Sequence, residues 1–299
     1  MITARPTRDG VVAALGGVLL GVIGFSTGNN LLFLVAAPVW AAVLLAAPLG
    51  WWNLRGLDVR RALPAELYAG REAAGRLLVR NGRRALSATA LTLVDEGTGA
   101  HAELARVAPQ TTGTAAVRWR FGDRGPAALT AVTIRSRWPF GFVEHAVRVR
   151  APAELVVYPR PLPVGAAESL RPGPVGPEPE SAGVGTGDFL GLRAYRLGDS
   201  PRTVHWPTTA RVGALQVVER AGETEISVEI EVRGASGLQW ERELSVAVGE
   251  VHRALQLGRK VGLLVPSVGG EPALRLPPSA GPTWRRTLLE ALALSPRVP

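Results

Sequence analysis

The chain has 299 residues, a net charge of +9, 46% apolar residues, 20% charged residues and no cysteine. This length accommodates two domains that each bury a core, and the composition is that of a globular protein. The lack of cysteine excludes disulfides, thiol nucleophiles and thiolate metal sites. The arginines are scattered and no zinc-finger, helix-turn-helix or RNP pattern is visible, so the positive charge favours an anionic lipid surface over nucleic acid.

The first feature along the chain is an uncharged stretch between Asp9 and Arg55. It is about twice as long as the ~20 apolar residues that one membrane span requires. It therefore predicts a transmembrane hairpin in segment 1–54, with helices over about 10–27 and 31–52 and a turn at "STGNN". A buried hairpin of a soluble protein and a cleaved signal peptide are the alternatives. The second apolar run, and the lack of an A-x-A-like site before a charged mature start, argue against the signal peptide.

Positive charges flank the predicted hairpin on both sides. Arg5 and Arg8 precede it, and Arg55, Arg60 and Arg61 follow it. Since a two-span hairpin returns the chain to its starting side, both flanks share one face of the membrane. The positive-inside tendency makes that face cytoplasmic, which predicts a cell-membrane protein with both termini and the soluble domains in the cytoplasm.

Segment 55–160 consists of short alternating runs separated by turn residues, which predicts an antiparallel β-sandwich. Asn81-Gly82 predicts a type I′ hairpin, and residues 122–125 predict a looser turn of the same kind. Arginines recur at alternate positions of several runs, which is typical of a solvated sheet face. These arginines are Arg118, Arg120, Arg135, Arg137, Arg148 and Arg150.

Segment 161–187 is rich in proline, glycine and glutamate, and it has few large apolar residues. Such a composition does not bury enough surface to fold alone, so it predicts a linker or a surface loop. The "GVGTG" at its end lacks the Lys-Ser or Lys-Thr of a phosphate-binding loop, so backbone flexibility is the better interpretation.

In segment 188–299 the spacing of the apolar residues changes. "GALQVVE" and "ISVEIEV" predict strands with a turn at Ala221-Gly222 between them, and "KVGLLVP" predicts a third strand. A helix runs from an N-cap at Ser236 to a stop at Gly258, with Leu244, Val248, Val251 and Leu255 on one stripe. "PTWRRTLLEALAL" predicts a second amphipathic helix. The alternation predicts an α/β layer with a mainly parallel sheet.

Charged, aromatic and histidine side chains are concentrated in residues 189–211, "FLGLRAYRLGDSPRTVHWPTTAR". Arginines and carboxylates at this density favour bidentate ion pairs. Ser200 or Asp199 would cap a short helix that has Pro201 at its first position, with His205 and Trp206 on that turn.

Three interpretations of this run stay open. A hydrolase would use Asp199 or Asp188 with His205 and a serine such as Ser200, but no G-x-S-x-G elbow is present. An internal network would fix the linker against the α/β domain. The hydrolase hypothesis predicts an exposed serine or aspartate beside His205 in a pocket, whereas an adaptor role predicts that Arg193 and Asp199 are paired and buried. A docking surface is favoured by arginine, tyrosine and tryptophan, the residues that dominate binding hot spots.

The run "DFLGLRAYRLGDSPRTVHWPTTARVGALQVVE" resembles the signature of the DUF58 family of membrane-anchored proteins. "GNNLLFLV", "RSRWPFGF" and "VVYPRP" resemble other blocks of that family in the same order. The resemblance and the local residue types together define a candidate network or docking set. Its members are Asp188, Arg193, Tyr195, Gly198, Asp199, Arg202, His205, Trp206 and Arg211. Ala210 also matches the family signature. The residue after the tryptophan is often lysine in the family, whereas this chain has Pro207.

The resemblance implies a β-sandwich followed by a von Willebrand A-like α/β domain. It further implies a non-catalytic adaptor or accessory protein, without a cofactor, that works with a MoxR-type AAA+ ATPase in envelope maintenance or protein maturation. A hydrolase built on Asp199 and His205, and a purely structural envelope component, are the alternative functions.

Von Willebrand A-like domains that hold magnesium use an Asp-x-Ser-x-Ser loop after their first strand, because this cation requires several oxygen ligands. Here the corresponding stretch "VEIEVRGASG" offers Glu229 and Glu231, then Arg233, with Ser236 nearby. A guanidinium repels a cation, so the sequence predicts a degenerate site without metal. The four histidines, His101, His145, His205 and His252, form no pair at metal-ligand spacing.

Overall fold

The structure is a computed structural model that describes residues 1–163, 189–196, 199–220, 227–233, 237–268 and 271–297. The chain divides into two compact units, Met1–Arg160 and Pro161–Pro299. Most of the predicted linker 161–187 lies outside the described residues, as does the predicted turn at Ala221-Gly222.

Two long helices near the N-terminus confirm the predicted hairpin. Helix α1 spans Arg8–Thr27 and helix α2 spans Asn30–Leu54, and both are long and apolar enough to cross a membrane. Only 17% of the apolar window of α1 and 11% of that of α2 are buried within the protein. A core hairpin of a soluble protein would bury most of these side chains, so the exposed apolar surface favours a lipid environment.

Small residues let the two helices approach closely. Gly10, Gly17 and Gly24 are the buried residues of α1, and they recur every seven residues. A Cβ at Gly17 would lie 2.9 Å from Nε1 of Trp40, and a Cβ at Gly24 would lie 3.1 Å from Cβ of Leu32. Larger side chains would therefore push α1 away from α2, as expected of close helix packing in membranes.

The rest of the first unit is an antiparallel β-sandwich. Its eight strands are β1 (Ile2–Pro6), β2 (Leu57–Ala62), β3 (Glu72–Asn81), β4 (Ala88–Asp95), β5 (His101–Val107), β6 (Thr112–Arg120), β7 (Gly125–Ser136) and β8 (Val143–Val157). One sheet has the order β1-β8-β7-β4-β5 and the other has the order β2-β3-β6. Leu77 and Trp119 of the smaller sheet share one core with Leu91, Leu93 and Ile134 of the larger sheet.

Alternation along the strands decides which side chains enter this core, since successive residues point to opposite faces. The six arginines predicted for the solvated face are all exposed. Arg61 is an exception to the sequence interpretation, because its side chain is only 2% exposed and pairs with the buried Asp95. It therefore is not one of the positive charges that flank the hairpin at the membrane surface.

The two predicted hairpin turns are wrong. Asn81 ends β3, which pairs with β2 and β6, whereas the next strand β4 pairs with β5 and β7. The chain thus crosses between sheets after Asn81, and the buried Asn81 amide donates to the carbonyl oxygens of Leu86 and Val107 at 2.8 and 3.1 Å. The segment 122–125 likewise leads from β6 to β7, which lie in different sheets.

Strand β1 was not predicted from the sequence. It pairs antiparallel with β8 from Ile2 opposite Val147 to Pro6 opposite Val143. The backbone N–H of Thr7 then donates to the carbonyl of Phe142 at 2.9 Å, directly before α1 begins. Cleavage of the hairpin as a signal peptide would remove a paired strand of the sandwich, which argues against that alternative.

The other end of the hairpin is fixed to the sandwich through a buried asparagine. Nδ2 of Asn53 donates to the carbonyl of Thr89 at 2.8 Å and to Oγ of Ser136 at 2.9 Å. The N–H of Thr89 donates back to Oδ1 of Asn53 at 2.9 Å. Since a buried polar group is stabilised only when it is hydrogen-bonded, this exchange defines how α2 meets strands β4 and β7.

In its described residues, the second unit contains two small sheets, the two predicted amphipathic helices and one short helix. Its elements are β9 (Phe189–Ala194), a single 3-10 turn (Pro201–Thr203), α3 (Trp206–Val212), β10 (Gln216–Arg220), β11 (Ser227–Glu231), α4 (Gly237–Gln256), β12 (Lys260–Val265), β13 (Leu274–Ser279) and α5 (Pro282–Leu294). Strands β9 and β10 form an antiparallel pair. Strand β12 pairs in parallel with β11 and antiparallel with β13.

The three-stranded sheet is therefore mixed, whereas the sequence predicted a mainly parallel one. The parallel pair is joined by α4, as a crossover connection requires. Helix α4 buries Leu244, Val248 and Val251, and Gly258 ends this region with a φ of +72°. Ser236, the predicted N-cap, lies outside the described residues. Leu255 of the predicted stripe is only partly buried.

Candidate docking site on the signature segment

The described residues between 189 and 218 form a small module, called here the signature segment. Arg193 lies opposite Val217 in the antiparallel pair of β9 and β10. The N–H of Tyr195 donates to the carbonyl of Leu215 at 2.9 Å, just beyond the end of β9. The segment between the strands is therefore closed into a loop whose two ends are hydrogen-bonded together.

An arginine and an aspartate hold this loop. Nη1 of Arg193 donates to Oδ2 of Asp199 at 2.7 Å, and Nη2 donates to Oδ1 at 2.8 Å. The backbone N–H of Arg196 donates to Oδ2 at 2.7 Å, and the Tyr195 hydroxyl donates to the Asp199 carbonyl at 3.2 Å. This is the bidentate pair that the sequence favours, and both side chains are largely but not fully buried.

These bonds change the acidity of the carboxyl group. The hydrogen bonds from Arg193, followed by that from the Arg196 backbone, lower the pKa of Asp199 from 3.8 to about 2. Hydrogen bonds to the charged form always favour that form. Asp199 is consequently a carboxylate at neutral pH, and both of its oxygens are engaged.

The middle of the segment contains two capped turns instead of the single helix that the sequence predicts. Oγ of Ser200 accepts from the N–H of Arg202 at 3.4 Å and caps the turn that begins at Pro201. His205 caps α3 separately, because its Nδ1 accepts from the N–H of Thr208 at 3.3 Å. Pro207 lies in the first turn of α3, where its missing N–H costs nothing.

The hydrolase interpretation requires Asp199, His205 and a serine to act on one another. Asp199 is engaged by Arg193, and Nδ1 of His205 lies 2.9 Å from Oγ1 of Thr208. Among the residues that the structure describes, no hydrogen bond joins Asp199, His205 and Ser200. These side chains instead make the local bonds that shape the loop. Asp188 and Gly198 of the signature set lie outside the described residues.

The same segment presents apolar and cationic side chains to solvent. Trp206 is 64% exposed at the start of α3, although burial of its ring would be strongly favourable. Leu192, Val212 and Leu215 are exposed large apolar side chains of this segment. The exposed cationic side chains that flank Trp206 in sequence are Arg202 and Arg211. Tryptophan and arginine are the residue types that most often carry binding energy at interfaces.

The stretch from β11 to Arg233 was predicted to be a degenerate metal site, and its described residues contain two glutamates that each lie beside an arginine. Nη2 of Arg233 lies 3.6 Å from Oε2 of Glu231, and both side chains are more than half exposed. The carboxylate of Glu229 accepts from Nε of Arg275 at 2.9 Å. Each glutamate thus faces a guanidinium. Across the described ranges, no group of three or more histidine, aspartate or glutamate side chains could hold a metal ion.

The sequence interpretation missed a polar cluster in the sandwich. Asp95 accepts from Nε and Nη2 of Arg61 at 2.7 and 3.1 Å, and from Nε1 of Trp119 at 2.9 Å. Nη2 of Arg61 also donates to the carbonyl of Ala131 at 3.0 Å. No local motif marks this cluster, since its members come from β2, β4, β6 and β7. Its hydrogen bonds join strands of the two sheets inside the sandwich, and Nη1 of Arg61 is buried without a hydrogen-bond partner in the described part of the chain.

Residues 191–298 match the sequence model of a family described as "Protein of unknown function DUF58". The matched range begins within β9 and continues beyond α5, so it includes most of the signature segment. The C-terminal unit is thus similar to the DUF58 family over this range. A search of curated proteins finds no match to this chain.

Proposed function

We propose that this protein is a membrane-anchored accessory protein whose signature segment docks a MoxR-type AAA+ ATPase, without chemistry of its own. The class of partner comes from the resemblance to the DUF58 family. The observation that carries the docking role is the exposed Trp206, which lies between Arg202 and Arg211 in sequence on a loop held by the Arg193–Asp199 pair. A segment whose ends are hydrogen-bonded together loses less conformational entropy on binding than an open segment, which favours binding through its exposed side chains.

The proposal places the sandwich and the second unit in the cytoplasm, where an ATPase has access to nucleotide. Arg5 in β1, Arg8 at the start of α1 and Arg55 directly after α2 are exposed positive charges at the two helix ends that meet the sandwich. The positive-inside tendency supports a cytoplasmic position for these ends. Reporter fusions after Arg55 test this orientation, and a periplasmic signal would refute it.

In this proposal the second unit is a von Willebrand A-like domain that has lost its metal site. The parallel strands β11 and β12 joined by α4 are the kind of unit from which α/β domains are built. The arginines that face Glu229 and Glu231 support a structural role for this loop. Such a domain would serve binding of a protein partner or client in envelope maintenance or protein maturation.

The direct test is co-purification of the full chain from detergent-solubilised membranes with and without ATP. We expect a MoxR-type ATPase to co-purify with the wild type and to be lost with Trp206→Ala, because removal of a hot-spot tryptophan costs at least about 2 kcal/mol, roughly thirtyfold in affinity. Leu257→Ala is the matched control, since Leu257 is also an exposed apolar side chain (57%) in the second unit.

A second variant separates docking from internal clamping. Asp199→Ala should lower the unfolding temperature by several degrees, because Arg193 would lose its carboxylate partner and the Arg196 N–H its acceptor. Unchanged melting combined with lost co-purification would refute the clamp and leave docking. Failure to recover any AAA+ protein with the wild type, with or without ATP, would contradict the adaptor role and favour a purely structural envelope component.

A further inference from the structure

The loop between β7 and β8 lies against the beginning of the first candidate membrane helix. This loop, Trp138–Phe142, is called here the WPF loop. Oγ1 of Thr7, the N-cap of α1, donates to the carbonyl of Gly141 at 2.7 Å, and the Thr7 N–H donates to the carbonyl of Phe142 at 2.9 Å. A Cβ at Gly10 would lie only 2.2 Å from the Phe142 carbonyl oxygen, so the loop and α1 are in direct contact.

The aromatic side chains of the WPF loop are directed to two different surroundings. Phe142 lines an open cavity of about 460 Å³ between α1 and α2, together with Ala13, Gly17 and Val39. Phe140 is 46% exposed, and its ring centroid lies 6.0 Å from that of Phe142. An exposed phenylalanine on a loop is unfavourable in water, yet it lies where a helix of membrane-spanning length begins.

The helix ends near this loop carry the residues that a bilayer interface favours. Trp51 and Trp52 are exposed at the end of α2, and the Arg55 guanidinium carbon lies 4.9 Å from the centre of the Trp51 ring. Arg8 begins α1. Arg137 directly precedes the WPF loop, and its Nε donates to Oε2 of Glu144 at 2.8 Å while its side chain stays 68% exposed. Aromatic rings settle at the headgroup level, and arginines reach anionic phosphates there.

We propose that the WPF loop is a membrane-contact element of the sandwich. Phe140 enters the boundary between phospholipid headgroups and acyl chains beside α1, and Arg8 and Arg137 face headgroup phosphates. The bilayer is the occupant because the loop is hydrogen-bonded to the N-cap of a candidate span, and because the exposed Arg8 and Arg137 beside the loop complement anionic lipid. The inference requires that the hairpin crosses the membrane, but it does not depend on the ATPase partner.

Because the chain has no cysteine, a single introduced cysteine is its sole site for thiol-specific labelling. Phe140→Cys, Gly122→Cys and Leu19→Cys variants of the full chain are spin-labelled and reconstituted in nanodiscs of phosphatidylcholine and phosphatidylglycerol. Gly122 lies beyond β6 at the end of the sandwich away from the hairpin, and a Cβ there meets no atom within 4 Å. Leu19, an exposed residue of α1, reports on the bilayer interior.

Collision rates with oxygen and with a water-soluble nickel chelate give the depth of each label. We expect the label at position 140 to be less accessible to nickel and more accessible to oxygen than the label at position 122. Its depth should lie between those of the labels at positions 122 and 19. A label at 140 that matches the label at 122, while the label at 19 is deep, would overturn the proposal. If the label at position 19 were as accessible to nickel as a label in water, both the proposal and the membrane-spanning hairpin would be refuted.

Discussion

Removal of the buried carboxylate of Asp95 should destabilise the sandwich strongly. Asp95 is fully buried, and it accepts two hydrogen bonds from Arg61, one from Trp119 and one from the N–H of Gly97 at 3.2 Å. In Asp95→Ala the guanidinium of Arg61, which is 2% exposed, would be left without its counter-charge. Breaking a buried ion pair in this way costs about 3–5 kcal/mol.

This free energy predicts a measurable change in melting. For a unit of this size each kcal/mol lowers the unfolding temperature by about 2–4 °C, so Asp95→Ala should lower it by about 6–20 °C. Scanning calorimetry of the detergent-solubilised full chain would measure the shift. The first unit, Met1–Arg160, should account for it, because all partners of Asp95 lie there.

A surface ion pair of the same sandwich provides the matched control. Arg118 and Glu72 lie 3.5 Å apart, with side chains that are 77% and 59% exposed. Glu72→Ala should therefore cost less than about 1 kcal/mol. If Asp95→Ala and Glu72→Ala shifted the melting temperature equally, the reasoning from burial would be refuted.

A double variant tests the cause of the loss. Arg61→Met with Asp95→Leu removes both charges and fills the space with apolar side chains, so no lone charge stays buried. Replacing a whole buried pair in this manner is often neutral or stabilising. We expect the double variant to melt above Asp95→Ala, and a lower melting temperature would show that packing around Trp119, not charge, dominates.

Two further predictions concern the helix junction and the signature segment. Gly50→Ala should destabilise the contact between α2 and β8 and lower the unfolding temperature, because the new Cβ would collide with the ring of His145. Gly21→Ala is the control. A Cβ at Gly21 meets no atom within 4 Å, so this variant should leave thermal unfolding unchanged. The pKa of Asp199 is lower in the folded protein, about 2, than its ordinary value of 3.8, so the stabilisation is complete above pH 3.8 and is lost as pH falls through about 2. The difference in unfolding free energy between wild type and Asp199→Asn should therefore be constant above about pH 5 and shrink towards pH 2; a difference that grows on acidification would contradict the assignment of the ion pair.

Strong local patterns predicted their elements correctly. The uncharged stretch between Asp9 and Arg55 predicted both hairpin helices, since length and hydropathy are local properties. The apolar stripe around Leu244, Val248 and Val251 predicted α4, and all three side chains are buried. The pairing of Arg193 with Asp199 was also favoured correctly, because the partners are close in sequence and can meet within one loop.

The features that the sequence did not predict depend on distant partners. Strand β1 is short and contains a proline, and it becomes a strand because β8 provides its hydrogen-bond partners. Strand β13 contains two consecutive prolines, which are tolerated in the described sheet because it pairs only with β12. Asn81-Gly82 has the composition of a tight hairpin, but the two sheets require the chain to cross between them there. The burial of Arg61 likewise depends on Asp95, which lies in another sheet.

The attachment of the hairpin at both of its ends has a mechanical consequence. Before α1 the chain is held by strand β1, and after α2 it is held by the Asn53 bonds to Thr89 and Ser136. A pull on the sandwich is therefore shared between two anchored helices, whereas a single flexible tether would let the domain swivel. Because the hairpin is attached at both ends, a tilt of the helices would also rotate the sandwich.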